Sequence, residues 1–331
     1  MLRSMYSGIS GLDNHQQKMD VIGNNLANVN THGFKKGRAM FKDMVSQQTQ
    51  GATGPTETQG GTNAMQVGLG AQMGSIDNIH EQGSLQNTGR QLDLGISGDG
   101  FFAVGELEDD SDWDIADDDI DEEDGGIDGV NVSYSRAGNF YMDEEGYVVN
   151  QDGQYLLGAS ADPGNNVDLD DDIDPADFFP TDLEEFYDDG AFGDIGAIED
   201  NASGDAGFGR IRIPTEAESF SVGSDGSISF VLDGDNHFAG QLQMAQFANP
   251  EGMEKVGDNL FQPTDNSGIP EWSTPGAGGA GEIVAGTLEM SNVDMSEEFT
   301  EMITAQRGLQ ANTRIITTSD EILQELVNMK Q

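Results

Sequence analysis

The chain has 331 residues, with 61 acidic and 14 basic side chains and a formal net charge of −47 at pH 7. Such a surface repels phosphate, which argues against nucleic acid as a partner. The absence of cysteine removes disulfides, thiolate metal sites and cysteine nucleophiles. Four histidines (His15, His32, His80, His237) are scattered without ligand spacing, so neither a metal nor another cofactor is expected. The length allows two or three domains. No stretch approaches the roughly 20 apolar residues of a membrane span, so membrane insertion is not expected. The opening residues MLRSMYSGISGL lack the apolar core of a cleavable signal, and work outside the cell would need a dedicated export route.

Residues 2–30 read as a helix. Met5, Leu12, Met19 and Leu26 recur every seven residues, with Leu2 and Ile9 three residues before the first two. That spacing keeps apolar side chains on one seam, which must be buried against other helices. Gly8, Gly11 and Gly23 interrupt the pattern, each at a cost of about 1 kcal/mol against alanine. Either these glycines break the helix, or Ser4, Gly8 and Gly11 form a small-residue face for close packing. Gly33 is placed to stop the helix.

Six of the fourteen basic residues lie within the first 42 positions, several in Phe34-Lys35-Lys36-Gly37-Arg38. In so acidic a chain this cluster reads as the basic half of ion pairs, within the chain or between copies. Residues 45–91 are rich in Gly, Gln, Thr and Ser. Gly68-Leu69-Gly70 is not a dinucleotide loop, because the spacing to Gly74 is wrong and no Val/Ile-rich strand precedes it. Short strands are expected near Met65–Leu69 and Gly74–Ile79.

The middle of the chain reads as β. Leu92–Ile96, then Gly98-Asp99-Gly100, then Phe101–Val104 predicts strand, turn, strand. Hairpins are expected at Phe140–Val149 around Asp143-Glu144-Glu145-Gly146, and at Phe220–Phe230 around Ser224-Asp225-Gly226. Gly240–Phe247 reads as one more strand. Two acidic blocks interrupt this region. Glu106–Asp128 holds fourteen carboxylates and Asp162–Asp205 sixteen, neither with a basic residue, so both read as insertions into a β scaffold.

A second helix is predicted from Asp294, whose side chain is set to cap it with Glu297 three residues on. It runs to about Met329, roughly 50 Å at 1.5 Å per residue. Its seam is Met295, Met302, Leu309, Ile316 and Leu323, with a second row of Ile315, Ile322 and Met329. Sticky helices at both ends suit a subunit that polymerises. The predicted fold class is a mainly β middle between long α-helical N- and C-termini that form a coiled-coil-like terminal domain. The predicted domains are discontinuous. Residues 1–32 with 293–331 form the helical polymerisation domain. Residues 33–105 with 131–160 and 208–292 form the β-rich core. Residues 106–130 and 161–207 are acidic insertions that could make a small outer domain.

Several motifs resemble the bacterial flagellar hook and rod family of axial proteins. Asn24-Asn25-Leu26-Ala27-Asn28-Val29-Asn30-Thr31-His32-Gly33-Phe34-Lys35-Lys36 is similar to that family's N-terminal signature. Leu92–Phe102 and Ser135–Asn139 resemble its next blocks. Leu288-Glu289-Met290-Ser291-Asn292-Val293-Asp294, followed by Met302-Ile303-Thr304-Ala305-Gln306-Arg307, resembles its C-terminal signature. The signature residues are thus Asn24, Asn25, Asn28, Asn30, Thr31, Gly33, Phe34, Ser291, Asn292, Val293, Gln306 and Arg307. Ser296-Glu297-Glu298-Phe299 and Ile322–Val327 are most similar to hook-type subunits of Gram-positive-type bacteria, with distal-rod subunits the alternative.

The resemblance implies a structural protein and not an enzyme: a helical homopolymer, a tube with paired terminal helices around a central channel and β domains outside. For a hook-type subunit it implies a universal joint between rod and filament. It further implies export through a type III apparatus, assembly under a hook cap, and contact with rod and hook–filament junction proteins. The acidic blocks have no counterpart in the family pattern, and their charge suits a saline habitat.

Two other readings fare worse. Asp168, Asp170, Asp172 and Asp174 alternate like a calcium ladder, but an EF-hand loop begun at Asp168 would need Gly and Glu where Ile173 and Phe179 stand. Paired carboxylates, as in a hydrolase, are inevitable among 61 acids and carry no information.

Overall fold

The computed structural model describes residues 2–55, 60–107, 130–160, 208–232 and 234–329. Apart from Glu106 and Leu107, both acidic blocks lie outside these residues, and so does the aspartate ladder from Asp168. The chain divides into two compact units.

The first unit contains residues 1–29, 35–79 and 293–331. Its helices are α1 (Leu2–Ala27) and α2 (Met295–Asn328). Asp294 caps α2, its side chain accepting the Ser296 amide at 2.7 Å and the Glu297 amide at 3.4 Å. The helices pack antiparallel, since the Gly8 end of α1 meets Ile316 and Asn312 while Lys18 reaches Glu301. Strands β1 (Gly37–Asp43), β2 (Ser46–Gln50), β3 (Met65–Gly68) and β4 (Ala71–Asn78) form two antiparallel ribbons, β1 with β4 and β2 with β3.

The second unit contains residues 30–34 and 80–292. Its strands are β5 (Leu85–Asn87), β6 (Leu94–Ser97), β7 (Phe101–Leu107), β8 (Val130–Ser135), β9 (Tyr141–Met142), β10 (Val148–Val149) and β11 (Tyr155–Ser160). They continue as β12 (Phe208–Arg210), β13 (Ser219–Val222), β14 (Ser227–Leu232), β15 (Asp235–Leu242), β16 (Met244–Gln246), β17 (Glu254–Gly257) and β18 (Leu260–Gln262). The last are β19 (Glu271–Ser273), β20 (Glu282–Ala285) and β21 (Thr287–Glu289). One large antiparallel sheet runs β13-β14-β15-β11-β7-β8-β18-β17, while β6 pairs with β20 and β5 with β21. Strand β7 is buried on both faces. Phe102 and Val104 enter one apolar cluster with Leu94, Phe140 and Leu242, and Phe101 and Ala103 enter another with Tyr134 and Phe261. That explains its continuous apolar run, where a one-sided strand would alternate.

The expected fold class is overturned. Among the described residues there are two α-helices, the remaining regular structure is mostly strand in several sheets, and both helices share one unit with β1–β4. The termini therefore do not form a coiled-coil helical domain. The physical reason lies in what faces the partner helix. Gly8, Gly11, Asn312, Gly308 and His15 meet between the helices, while Ile9 and Met295 stay exposed. A coiled-coil seam would place apolar knobs at the first set of positions and bury the second.

Other expectations need smaller corrections. Helix α1 ends at Ala27, and Gly33, with φ +69°, belongs to the second unit. The strands on either side of Gly98-Asp99-Gly100 do not pair with each other, because β6 joins β20 and β7 joins β8, β11 and β16. The turns at Asp143–Gly146 and Ser224–Gly226 do close hairpins, with Val149 opposite Tyr141 and Phe230 opposite Phe220. Gly240–Phe247 is divided between β15 and β16 at Gln243.

Candidate assembly surface

The seam residues fall into two groups. Met5, Leu12, Met19 and Leu26 on α1, and Met302, Leu309, Ile316 and Leu323 on α2, are half-buried. Ile9 and Met295 are exposed, and the side chain of Leu2 lies outside the described residues. Outside the seam, Tyr6 on α1, Phe299, Ile303, Ile315 and Ile322 on α2, and Met329 just past its end are also exposed. Phe299 and Ile303 follow Met295 at four-residue steps, and Ile315, Ile322 and Met329 at seven, so each set runs along one side of α2. Apolar rows of this kind on a soluble surface mark sites for further protein.

Close approach of the helices depends on glycine. A Cβ built on Gly11 falls 2.5 Å from Asn312 Nδ2, and one on Gly308 would overlap the His15 ring. Of the small-face residues read from sequence, Gly8 and Gly11 lie against α2, and Ser4 is exposed.

The basic cluster supplies ion pairs within the first unit. Lys36 Nζ lies 3.3 Å from Glu297, Lys18 Nζ 3.2 Å from Glu301, and Arg38 3.9 Å from Asp77. All have an exposed partner and carry little net energy. Asn25 is different. It is buried, its Nδ2 donates to the Gly37 carbonyl at 2.9 Å, and its Oδ1 accepts the Gly37 amide at 2.9 Å. It also bonds Glu298, a buried carboxyl whose pKa is raised by burial.

The other signature residues are scattered, and their surroundings are structural. Asn28 Nδ2 donates to the Asn24 carbonyl and side chain, both at 3.0 Å, as α1 ends. Asn30 is exposed and Thr31 half-buried. Gly33 packs on the backbone of Arg136 and Ala137, where a Cβ would lie 2.6 Å from the Ala137 nitrogen. Phe34 lies beneath Lys255, whose Nζ is 4.8 Å from the ring centroid and whose pKa is lowered by burial. Asn292 Nδ2 donates to the Glu81 carbonyl at 3.2 Å, and Ser291 and Val293 are buried. Gln306 and Arg307 are exposed on α2.

Sequence reasoning missed the polar centre of the second unit. Arg136 and Glu289 form an ion pair at 3.4 Å with side chains 2% and 0% exposed. Arg136 also donates to the Gly98 carbonyl at 2.9 Å, and Glu289 accepts the Gly83 amide at 2.7 Å. The Glu289 backbone carbonyl accepts the Gly33 amide at 2.9 Å. Burial pushes the Arg136 pKa down, and Glu289 beside it pulls it back up. Four motif blocks thus meet at one charge pair. One signal was available: Arg136 is the only base between Arg90 and Arg210. Among the described residues no group of acids and histidines is placed to hold a metal ion.

Three family models match the sequence. Residues 5–35 match a flagella basal body rod protein model, residues 126–230 a flagellar hook protein FlgE/F/G D1 domain, and residues 284–329 a flagellar basal body rod FlgEFG protein C-terminal model. The flagellar basal-body rod protein FlgG of Bacillus subtilis strain 168 is 45% identical over 333 positions, covering all of both chains. The chain belongs to the flagellar hook and rod axial protein family. The flagellar hook protein FlgE of Borreliella burgdorferi is 31% identical over 465 positions, again covering all of both chains. The rod protein FlgG of Buchnera aphidicola from Acyrthosiphon pisum is 32% identical over 337 positions, covering 98% of this chain and 99% of that one. Hook and rod axial proteins are structural parts of the flagellum, not enzymes. In that light, the outward apolar rows of α1 and α2 are the natural candidates for contact between copies.

Proposed function

We propose that this chain is a structural subunit of the flagellar rod, of distal-rod type, which assembles with copies of itself into a straight tube. One observation carries the choice of rod over hook. The alignment with the Bacillus rod protein spans 333 positions, so that protein has almost nothing that this chain lacks. The alignment with the Borreliella hook protein spans 465, so more than a hundred positions there have no counterpart in 331 residues. The higher identity to the rod protein supports the same reading. The hook assignment drawn from Ser296–Phe299 and Ile322–Val327 is correspondingly the weaker one.

On this reading the subunit sits in the flagellar basal body and contacts further copies, neighbouring rod and hook subunits, and the cap under which it is added. It reaches them through a type III export route. The seam residues and the exposed Phe299, Ile303, Ile315 and Ile322 supply cohesion between copies. Negative-stain microscopy of the purified protein at high concentration tests this directly. Straight tubes are expected, and Leu12→Asp or Leu309→Asp should abolish them, because an unpaired buried charge is costly. Curved tubes would overturn the rod assignment in favour of the hook. Normal tubes from either variant would show that the copies join elsewhere.

A further inference from the structure

Three carboxylates sit in the first turns of α2: Glu297, Glu298 and Glu301. Two have a lysine, Lys36 for Glu297 and Lys18 for Glu301. The third, Glu298, is the buried one, only 5% exposed, and its direct partner is a neutral amide, Asn25 on α1. Asn25 is already held on both sides by Gly37, so it cannot turn to give Glu298 a second bond. The Glu298 Oε2 atom is buried and has no hydrogen-bond partner. A carboxylate in that position is unfavourable, whereas a protonated carboxyl relieves the unmatched charge.

We propose that Glu298 is a proton-operated clasp between α1 and α2: protonation removes the unmatched charge at the buried Oε2 and lets the start of α2 close on α1, and ionisation, although it strengthens the Asn25 bond, loosens the pair. The charged groups that face Glu298 are Glu297 and Glu301 on its own helix and Lys36 on the segment leading into β1. Lys18 on α1 faces the same turns through Glu301. The glutamates oppose ionisation, whereas the Asn25 hydrogen bond and Lys36 favour it, Lys36 being engaged by Glu297 as well. Burial is the leading cause of the upward shift. The sign follows from linkage. A carboxyl whose folded pKa lies above its ordinary value of 4.5 gives stability that is present at and below that value and is lost as pH rises through the folded pKa. The clasp therefore weakens between about pH 4.5 and the raised value, and is open above it.

This clasp is a property of the helix pair and holds whether the polymer is rod or hook. The test uses the full chain. Carbon-detected NMR of the wild type should show Glu298 titrating above every other resolved glutamate. Glu298→Gln, which fixes a neutral side chain of the same size, should raise Tm at pH 8 by a few degrees and leave it unchanged at pH 4. It should also raise the amide protection factors of residues 296–302 at pH 8 to those of the wild type at pH 5. An ordinary Glu298 titration would overturn the proposal, as would a Glu298→Gln variant destabilised equally at both pH values.

Discussion

Replacing Arg136 with methionine isolates the energetics of the buried charge pair. The substitution conserves much of the side-chain length but removes the guanidinium, so Glu289, its side chain 0% exposed, loses its Arg136 partner while keeping the Gly83 amide. The Gly98 carbonyl loses its donor as well. Breaking a buried pair from one side typically costs about 3–5 kcal/mol. For a unit of this size each kcal/mol moves Tm by about 2–4 °C, so Arg136→Met should lower it by roughly 6–20 °C. The second substitution, Glu289→Gln, removes the remaining buried charge. The double variant should therefore recover part of the loss, with a coupling energy of about 1–3 kcal/mol. Trp272 is the natural probe, since its ring lies 6.0 Å from that of Tyr134, two residues before Arg136. The other tryptophan, Trp113, is best replaced by phenylalanine so that the signal comes from one site. Urea unfolding of the four proteins closes the cycle. A cost below about 1 kcal/mol for Arg136→Met, or strict additivity in the double variant, would refute the view that this pair holds the second unit together.

Two further outcomes are expected. Gly308→Ala should disrupt the helix pair, because its Cβ would overlap the His15 ring, whereas Gly23→Ala, with nothing within 4 Å, should stabilise α1 by up to about 1 kcal/mol; helical ellipticity with thermal melts would reverse the reading if Gly308→Ala were the more stable. Monovalent salt should raise both Tm and polymer yield up to molar levels, since the screening length falls from about 8 Å at 0.15 M to about 3 Å at 1 M, and deleting residues 107–128 should blunt that response; micromolar calcium producing the whole effect at low ionic strength would instead make Asp168 and its neighbours a metal site.

Much of the secondary structure was legible because its signals are local. The Asp294 cap, the turns at Asp143–Gly146 and Ser224–Gly226, and the strand before Gly105 each depend on neighbours in sequence. Pairing was not legible, because it is decided at long range. Leu94 finds Ala285, 191 positions away, although the Gly98–Gly100 turn suggests a partner in β7. The assembly surface was only half legible. A seven-residue row of Leu and Met looks the same whether it closes a coiled coil or lies beside a seam of glycine and asparagine. What distinguishes the two is the residue opposite, and Gly308 facing His15 cannot be read from either helix alone. The Arg136–Glu289 pair was invisible for the same reason, its members being 153 positions apart.

The same seam explains why charge should govern assembly. Closing α1 on α2 through small and polar residues leaves Tyr6, Ile9, Phe299, Ile303, Ile315, Ile322 and Met329 facing outward. Full burial of such side chains is worth about 1.5–3 kcal/mol each, and these are already partly covered, so neighbours could gain roughly 5–10 kcal/mol per subunit from them. Association alone costs about 4–15 kcal/mol. The margin is therefore narrow, and each incoming copy brings a net charge of −47. A narrow margin against a long-range repulsion makes screening decisive, because salt hardly weakens apolar contacts but sharply reduces the repulsion. Polymer yield should then rise with salt more steeply than the Tm of the separate subunit does. Equal salt dependence of assembly and of folding would mean that the repulsion acts within the subunit, and that the outward apolar rows do not set the threshold.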